Sequence, residues 1–158
     1  MNQVLTLPKT LSRADILQFE NECKEITGFL SGDDAKEDNE FATYRHSFAE
    51  GVYIREMHLK KGALLTGEIQ NYEHAIFLMN GTIDLATDEG VMRVSAPFFC
   101  VAKAGTKRIG YAVTDVVWIN VHPNPTNETD IKTIENKMVS HSFEEYDNFI
   151  NTQTLVIQ

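Results

Sequence analysis

Short apolar runs separated by turn residues fill the middle of the chain, from residue 41 to residue 122. Strands that follow one another so closely predict an all-β barrel or sandwich. The breaks between them fall at Glu50-Gly51, Lys61-Gly62, Asn80-Gly81, Glu89-Gly90, Pro97, Gly105 and Asp115. The Asn-Gly pair lies between HAIFLM and TIDLAT, and both of its residues tolerate the positive φ of a type I′ turn. We therefore expect these two segments to pair as an antiparallel hairpin.

The residues on either side of this region have helical periodicity. Ser12 is a candidate N-cap for a short amphipathic helix. The apolar positions of that helix are Ile16, Phe19, Cys23 and Ile26. A second helix is predicted behind the strands, capped at Thr126 or Asn127. Its apolar positions are Ile131, Ile134 and Met138.

A chain of 158 residues is long enough to bury one core, so we expect a single domain. Its predicted parts are an N-terminal helix with an acidic loop (1–40), a barrel (41–122), and a helical extension with a tail (123–158). The tail ends in TLVIQ, a short apolar run with β propensity. We expect this run to pair with another strand or with another subunit, because an unpaired edge would be prone to aggregation.

The charge and the cysteines limit the partners and the compartment. A formal charge of −9 would repel a nucleic-acid backbone, so no nucleic-acid partner is expected. No apolar stretch approaches the length of a membrane span, and the N-terminus lacks the pattern of a secretory signal. Cys23 and Cys100 have no CxxC spacing and are interpreted as buried thiols of a reducing compartment. These features predict a cytoplasmic protein without a membrane partner.

One twenty-residue segment has the glycine spacing of a metal-binding motif. The chain reads GALLTGEIQNYEHAIFLMNG from Gly62 to Gly81. This matches every spacing of the first cupin motif, G-x5-H-x-H-x3-E-x6-G. The three ligand positions hold Glu68, Gln70 and His74 in place of histidine, histidine and glutamate. The spacing is therefore kept while most of the metal-binding side chains are replaced.

A later segment, KAGTKR, resembles the P-x-G-x2-H core of the second cupin motif. Lys103 takes the place of the proline, and Arg108 takes the place of the histidine ligand. With both motifs the chain resembles the cupin superfamily. That resemblance implies a mainly β fold, a double-stranded β-helix or jelly-roll barrel with an N-terminal helix and a C-terminal helical segment. It also implies a homodimer, since cupins commonly associate through barrel faces.

The resemblance narrows to small cupin-like proteins met mainly in phage and prophage genomes. The segments that carry it, within residues 12–138, are YRHSFAEGVYIREM, LLTGEIQNYEHAIFLMNGTI, APFFCVAKAGTKRIGYAVTDVVWINVH and the helix after NETD. The most specific block is GTKRIGY with Asp115, Trp118 and His122 downstream. The resemblance implies a phage-encoded protein of the host cytoplasm but no particular activity.

Strand alternation brings the replaced ligand positions together. Residues two apart share a face, so Glu68 and Gln70 point the same way, into the barrel in the cupin register. There they converge with His74. Arg108 takes the same direction on the partner strand, beside the small Gly110. We therefore expect a cavity lined by polar side chains.

Three interpretations of this set are open. Glu68, His74 and His122 could bind a divalent metal, but Arg108 offers no lone pair and would repel a cation. Arg108 could instead form an internal ion pair with Glu68, because buried charges require partners. In the third interpretation, Arg108 or Lys107 holds the anionic group of an organic ligand.

The third interpretation favours a non-enzymatic protein that binds a small polar or anionic ligand in the barrel or at its mouth. Its expected ligand-binding residues are Glu68, Gln70, His74, Lys107, Arg108, Trp118 and His122. No cofactor is assigned. One alternative is a metal-dependent isomerase or oxygenase, and another is a phage structural or interaction protein with a filled barrel. The sequence contains neither a nucleophile elbow nor a phosphate loop, which disfavours hydrolases and kinases. The remaining histidines, expected at the surface or at an interface, are His46, His58 and His141.

Overall fold

The structure is a computed structural model that describes residues 11–156, apart from the side chains at 33–34 and 155–156. Its first helix, α1 (Arg13–Cys23), begins at the N-cap Ser12, as predicted. The Ser12 hydroxyl accepts a hydrogen bond from the N–H of Asp15, and the Asp15 carboxylate accepts one from the N–H of Ser12. The helix ends at Cys23, so Ile26, which was predicted on its apolar face, lies beyond it and is exposed.

The described chain contains twelve strands, which form two large sheets and one small one. The strands are β1 (Phe29–Leu30), β2 (Ala42–Ala49), β3 (Val52–Leu59), β4 (Leu64–Thr66), β5 (Ile69–Gln70), β6 (His74–Asn80), β7 (Thr82–Thr87), β8 (Gly90–Ser95), β9 (Phe98–Ala102), β10 (Ile109–Ala112), β11 (Val116–Pro123) and β12 (Val139–Ser140). The first sheet has the order β1-β4-β10-β7-β8, and the second has the order β2-β3-β11-β6-β9. Within both, neighbours are antiparallel except β1 and β4. β5 and β12 pair separately.

The hairpin predicted at Asn80-Gly81 is wrong. β6 pairs with β11 and β9 in the second sheet, whereas β7 pairs with β10 and β8 in the first. Gly81 has a φ of 87°, and a Cβ at this position would lie 2.0 Å from the carbonyl oxygen of Asp115. The Asn-Gly pair therefore carries the chain from one sheet to the other, and only glycine permits the close approach to Asp115.

The two sheets face each other and enclose an apolar core that fills one end of the barrel. The core side chains include Leu59, Ile76, Leu78, Ile83, Ala112 and Val116. Along β11 the buried positions change from Val116 and Trp118 to His122, with Asn120 between them. The barrel is therefore apolar at one end and polar at the other. A second cluster lies where α1 packs Ile16 and Cys23 against the outer side of the first sheet.

Two helices follow the barrel, α2 (Ile131–Met138) and α3 (Phe143–Val156). The predicted N-cap of α2 at Thr126 or Asn127 is wrong. Asp130 caps the helix by accepting a hydrogen bond from the N–H of Thr133 at 2.8 Å. Asn127 instead lies in a turn with a φ of 50°, and its side chain accepts a hydrogen bond from the N–H of Gly51.

The prediction of an extended tail is wrong for residues 154–156, which complete α3. Ser142 and Glu145 start this helix, because the Ser142 hydroxyl accepts from the N–H of Glu145 and the Glu145 carboxylate accepts from the N–H of His141. Once started, the helix extends through the β-prone residues, whose propensity is a weak preference. The last two residues of TLVIQ lie outside the described residues.

The predicted barrel with helices at both ends is confirmed. The division into a single domain with the three parts given above stays a prediction, and the first sheet already includes Phe29–Leu30, before the predicted start of the barrel. Within residues 11–156, no helix has the length and apolarity needed to cross a membrane.

Candidate functional site

The polar end of the barrel contains a cavity of about 110 Å³ between the two sheets. Its polar lining residues include Lys36, Arg55, Glu68, Gln70, His74, Arg108, Asn120 and Glu135. Its apolar walls include Met57, Leu65, Ile83, Leu85 and Trp118. An apolar cavity of about 150 Å³ holds the six heavy atoms of benzene, so this smaller cavity can hold a ligand of about four or five heavy atoms.

The structure brings five of the seven predicted ligand-binding residues to this cavity and leaves two elsewhere. The five are Glu68, Gln70, His74, Arg108 and Trp118. Lys107 points away from the cavity, and its buried Nζ lies 2.8 Å from Oε1 of Glu20 in α1. Neighbouring residues of an extended chain face opposite sides, which separates Lys107 from Arg108. Lys107 therefore attaches α1 to the barrel.

His122 lies behind His74 and does not line the cavity. The two imidazole rings stack with their centroids 4.3 Å apart. On its other side His122 stacks on Tyr53, with the centroids 5.9 Å apart. Tyr53 in turn shares a hydrogen bond of 2.8 Å with Nδ1 of His46. Side chains of β2, β3, β11 and β6 thus form a row of rings that supports His74 from behind.

Both stacked histidines are neutral at neutral pH. Burial, and to a smaller extent the positive charge of Arg108, lower the pKa of His74 to about 4. Burial, and to a smaller extent its neighbours His74 and Arg55, lower the pKa of His122 to about 3. His74 therefore offers the cavity an uncharged hydrogen-bonding group.

Glu68 has partners other than the predicted one. Its Oε1 lies 3.7 Å from Nζ of Lys36 and 3.3 Å from Nδ1 of His141. No ion pair forms between Glu68 and Arg108, so the interpretation of an internal pair between these two residues is wrong. Lys36 lies before β2 and His141 lies after β12, and both approach Glu68 at the mouth of the cavity.

Arg108 lines the cavity without a polar partner for its side chain. Among the residues that the structure describes, the guanidinium makes neither an ion pair nor a hydrogen bond. Burial lowers the pKa of Arg108 from its usual value, and the negative charges of Asp88 and Glu89 oppose this effect. A guanidinium nevertheless keeps its charge at any physiological pH. Within the described part of the chain, the cavity wall thus contains a cation without a counter-charge.

Five further polar residues of the cavity were not predicted as ligand-binding: Lys36, Arg55, Thr106, Asn120 and Glu135. Arg55 donates a hydrogen bond of 2.8 Å to the carbonyl of Ala35, and its guanidinium lies 4.8 Å from the centroid of the Tyr44 ring. Asn120 accepts a hydrogen bond of 2.9 Å from Nε1 of Trp118. Strand alternation could have indicated two of these residues. Asn120 lies two residues after Trp118 on β11 and so shares its face, and Arg55 shares a face of β3 with alternating apolar residues. Glu135 lies on α2 and had no such signal.

The residues present do not fit a metal ion, which the cupin fold would otherwise imply. Among residues 11–156, no group of three or more histidine, cysteine or acidic side chains is placed to hold one. Imidazole lone pairs lie in the ring plane, so the stacked rings of His74 and His122 cannot converge on one ion. Glu68 is neutralised by Lys36, and Arg108 would repel a cation.

The paired sheets and the cavity at one end of the barrel define a protein with the cupin fold. Among solved structures, the chain is similar to KdgF from Halomonas sp., with a TM-score of 0.50 and 12% identity over 60% of this chain and 87% of that one. It is also similar to ectoine synthase from P. lautus, with a TM-score of 0.49 and 13% identity over 55% of this chain and 67% of that one. A third similar structure is a cupin 2 conserved barrel domain protein from Leptotrichia buccalis, with a TM-score of 0.49 and 14% identity over 63% of this chain and 48% of that one.

No family model and no curated protein matches the chain. At identities this low, the likeness to KdgF shows the fold alone. The function has to be argued from the side chains of the cavity.

Proposed function

We propose that the protein binds a small carboxylate or inorganic oxyanion in the polar end of the barrel, without catalysing a reaction. The observation that carries this proposal is the unpartnered guanidinium of Arg108 in the cavity wall. A cation taken out of water is costly unless it is paired, and a bound anion would provide the pair. Guanidinium groups also bind carboxylates and phosphates through two parallel hydrogen bonds.

The charges around the cavity support an anionic ligand. Lys36 and Glu68 neutralise each other at its mouth. This leaves the two guanidinium groups of Arg55 and Arg108 against the one carboxylate of Glu135. The cavity is therefore locally positive within an acidic protein, which favours a small anion over a cation.

Neutral polar groups would orient such a ligand. The Trp118 indole donates to the side-chain oxygen of Asn120, which leaves the Asn120 amide N–H groups as donors to a ligand or to the neighbouring His74. His74 is uncharged, and its Nδ1 lies 3.4 Å from the carbonyl of Tyr72, which can only accept, so the other ring nitrogen is a hydrogen-bond acceptor. Polar groups that converge beside an apolar wall are the usual arrangement of a small-molecule site.

A titration of the ¹⁵N-labelled protein with sodium formate, acetate and phosphate tests this proposal. We expect saturable chemical-shift changes at Gly67 and Gly110, which line the cavity. Arg108→Met should abolish them. Arg93→Met is the matched control, because Arg93 is exposed and pairs with Asp84 on the outside of the barrel. Loss of binding in both variants, or no saturable shift in the wild type, would overturn the proposal.

We extend the proposal to a phage-encoded protein of the host cytoplasm, as the sequence resemblance implies, and to a homodimer. The support for a homodimer is the outer face of β6 and β9, where apolar side chains are exposed. These are Phe77, Met79, Phe99 and Val101. None of the four is charged, so two copies could meet there without bringing their acidic residues together.

A further inference from the structure

We infer that the ligand of this cavity is a zwitterion, a small α-amino acid whose carboxylate pairs with Arg108 and whose ammonium group pairs with Glu135. This inference rests on the proposed function, since it identifies the kind of small carboxylate that the site would take. It follows from a second charge in the cavity, of opposite sign to Arg108 and equally without a partner among the described residues.

Glu135 supplies that second charge. It lies in the middle of α2, next to Ile134, which is buried against the barrel. Glu135 lines the cavity and is partly buried. Its backbone carbonyl accepts a hydrogen bond from the N–H of Val139, but its carboxylate makes no ion pair or hydrogen bond with any residue in the described part of the chain. The other acid of the cavity, Glu68, is neutralised by Lys36 and so differs from Glu135.

The neighbouring cation Arg55 does not replace a ligand at Glu135. Its guanidinium donates to the carbonyl of Ala35 and lies over the Tyr44 ring, and no ion pair joins it to Glu135. Arg55 is therefore engaged with the loop before β2 and with β2 itself. A positive group that enters the cavity would be the pairing partner for the Glu135 carboxylate.

A ligand with only one charge would leave one of these groups unsatisfied. Acetate would pair with Arg108 but leave Glu135 without a cation, and methylammonium would do the reverse. Breaking a partly buried charge pair by leaving out one partner is costly, so a ligand with both charges should bind tighter than either. An α-amino acid carries the two charges on groups bonded to the same carbon atom, within a very small molecule.

The size of the cavity limits which amino acid fits. Its volume of about 110 Å³ is close to what glycine, with five heavy atoms, requires. Trp118, Met57 and Leu85 provide an apolar wall for the Cα methylene group. Longer side chains would need space that the filled end of the barrel does not have.

The test compares glycine, acetate and methylammonium chloride by NMR titration of the wild type, Glu135→Gln and the control Glu144→Gln. Glu144 undergoes the same chemical change but is exposed in the first turn of α3 and does not line the cavity. We expect glycine to bind the wild type and Glu144→Gln at least tenfold tighter than acetate does. Glu135→Gln should remove this preference while acetate still binds.

The outcomes separate the inference from the proposed function. If acetate binds through Arg108 as tightly as glycine, the ligand is a simple anion and the inference is wrong, whereas the proposed function stands. A preference for glycine over acetate that persists in Glu135→Gln would also contradict the inference, because a group other than Glu135 would then bind the ammonium. If neither acetate nor glycine binds, the proposed function fails and the inference with it.

Discussion

His74 and His122 stack with their ring centroids 4.3 Å apart, one lining the cavity and the other buried behind it. The two rings come from neighbouring strands, β6 and β11, which pair in the second sheet. Neither ring forms an ion pair with a described residue, and the charges of Arg55 and Arg108 disfavour protonation of the pair. The stack is therefore stable only while both rings are neutral.

This stacking predicts that the free energy of unfolding decreases as the pH is lowered from about 6.5 to about 4. In the unfolded chain both histidines bind protons near the ordinary pKa of 6.5, whereas in the folded protein they do so near 4 and 3. The unfolded state thus binds more protons in this window, and each histidine lowers the free energy of unfolding by on the order of 1.4 kcal/mol per pH unit. His46, whose pKa burial also lowers, acts in the same direction. Urea unfolding measured from pH 7.5 down to 5 checks the slope.

The variant His122→Phe tests whether the stacked histidines cause this pH dependence of the free energy of unfolding. Phenylalanine keeps an aromatic ring between Tyr53 and His74 and removes one titrating group, so the decline with pH should become shallower. An NMR titration of the imidazole resonances in the wild type measures the pKa values of His74 and His122 independently. A titration midpoint near 6.5 for His74 or His122 would contradict the prediction.

Arg108→Met should stabilise the ligand-free protein. Methionine fills a similar volume and removes a guanidinium that burial desolvates without a partner, so we expect a gain of about 1 kcal/mol in the free energy of unfolding. Saturating anion should raise the Tm of the wild type but not that of the variant. Thermal unfolding with and without anion measures both effects. A loss of stability in the ligand-free variant would show that Arg108 already has a partner.

Much of the fold could be predicted because its signals are local. The glycine spacing around Glu68 and His74 and the capping residue Ser12 depend on residues a few positions apart. The hairpin at Asn80-Gly81 was predicted wrongly for the same reason. Its turn chemistry is that of a hairpin, but the pairing of β6 with β11 decides which sheet each strand joins. That choice depends on the packing of the whole barrel.

The candidate site could be predicted only in part. Motif spacing led to Arg108, and alternation led to Glu68 and His74. Other charged groups of the cavity come from distant segments, since Lys36 precedes β2 and Glu135 follows β11. Single-sequence reasoning has no measure of which loop covers a barrel mouth. The unpaired state of Arg108, on which the function depends, therefore became visible only in three dimensions.

The buried pair of Lys107 and Glu20 predicts a non-additive pair of substitutions. Glu20→Gln would leave the Lys107 ammonium buried without a counter-charge, and we expect a loss of about 3 kcal/mol in the free energy of unfolding. Adding Lys107→Met should restore most of this loss, because the buried charge is then gone. Glu22→Gln, on the exposed side of α1, serves as the control for the same chemical change. If the double variant is less stable than Glu20→Gln alone, the loss in Glu20→Gln is not caused by an unpaired Lys107 charge and the prediction is wrong.

The outer face of β6 and β9 should hold two copies of the chain together. Phe99 is 74% exposed and Val101 is 66% exposed, and the ring of Phe99 stacks on Phe77 with their centroids 6.1 Å apart. β9 is an edge strand of the second sheet, so this apolar face continues to an open edge that a second copy could cover. Phe99→Lys would place like charges at the centre of such an interface and should give a monomer in sedimentation velocity. Tyr111→Lys, an exposed position on the first sheet, should leave the dimer intact. A monomeric wild type at micromolar concentration would contradict the homodimer and assign these side chains to the surface of a single barrel.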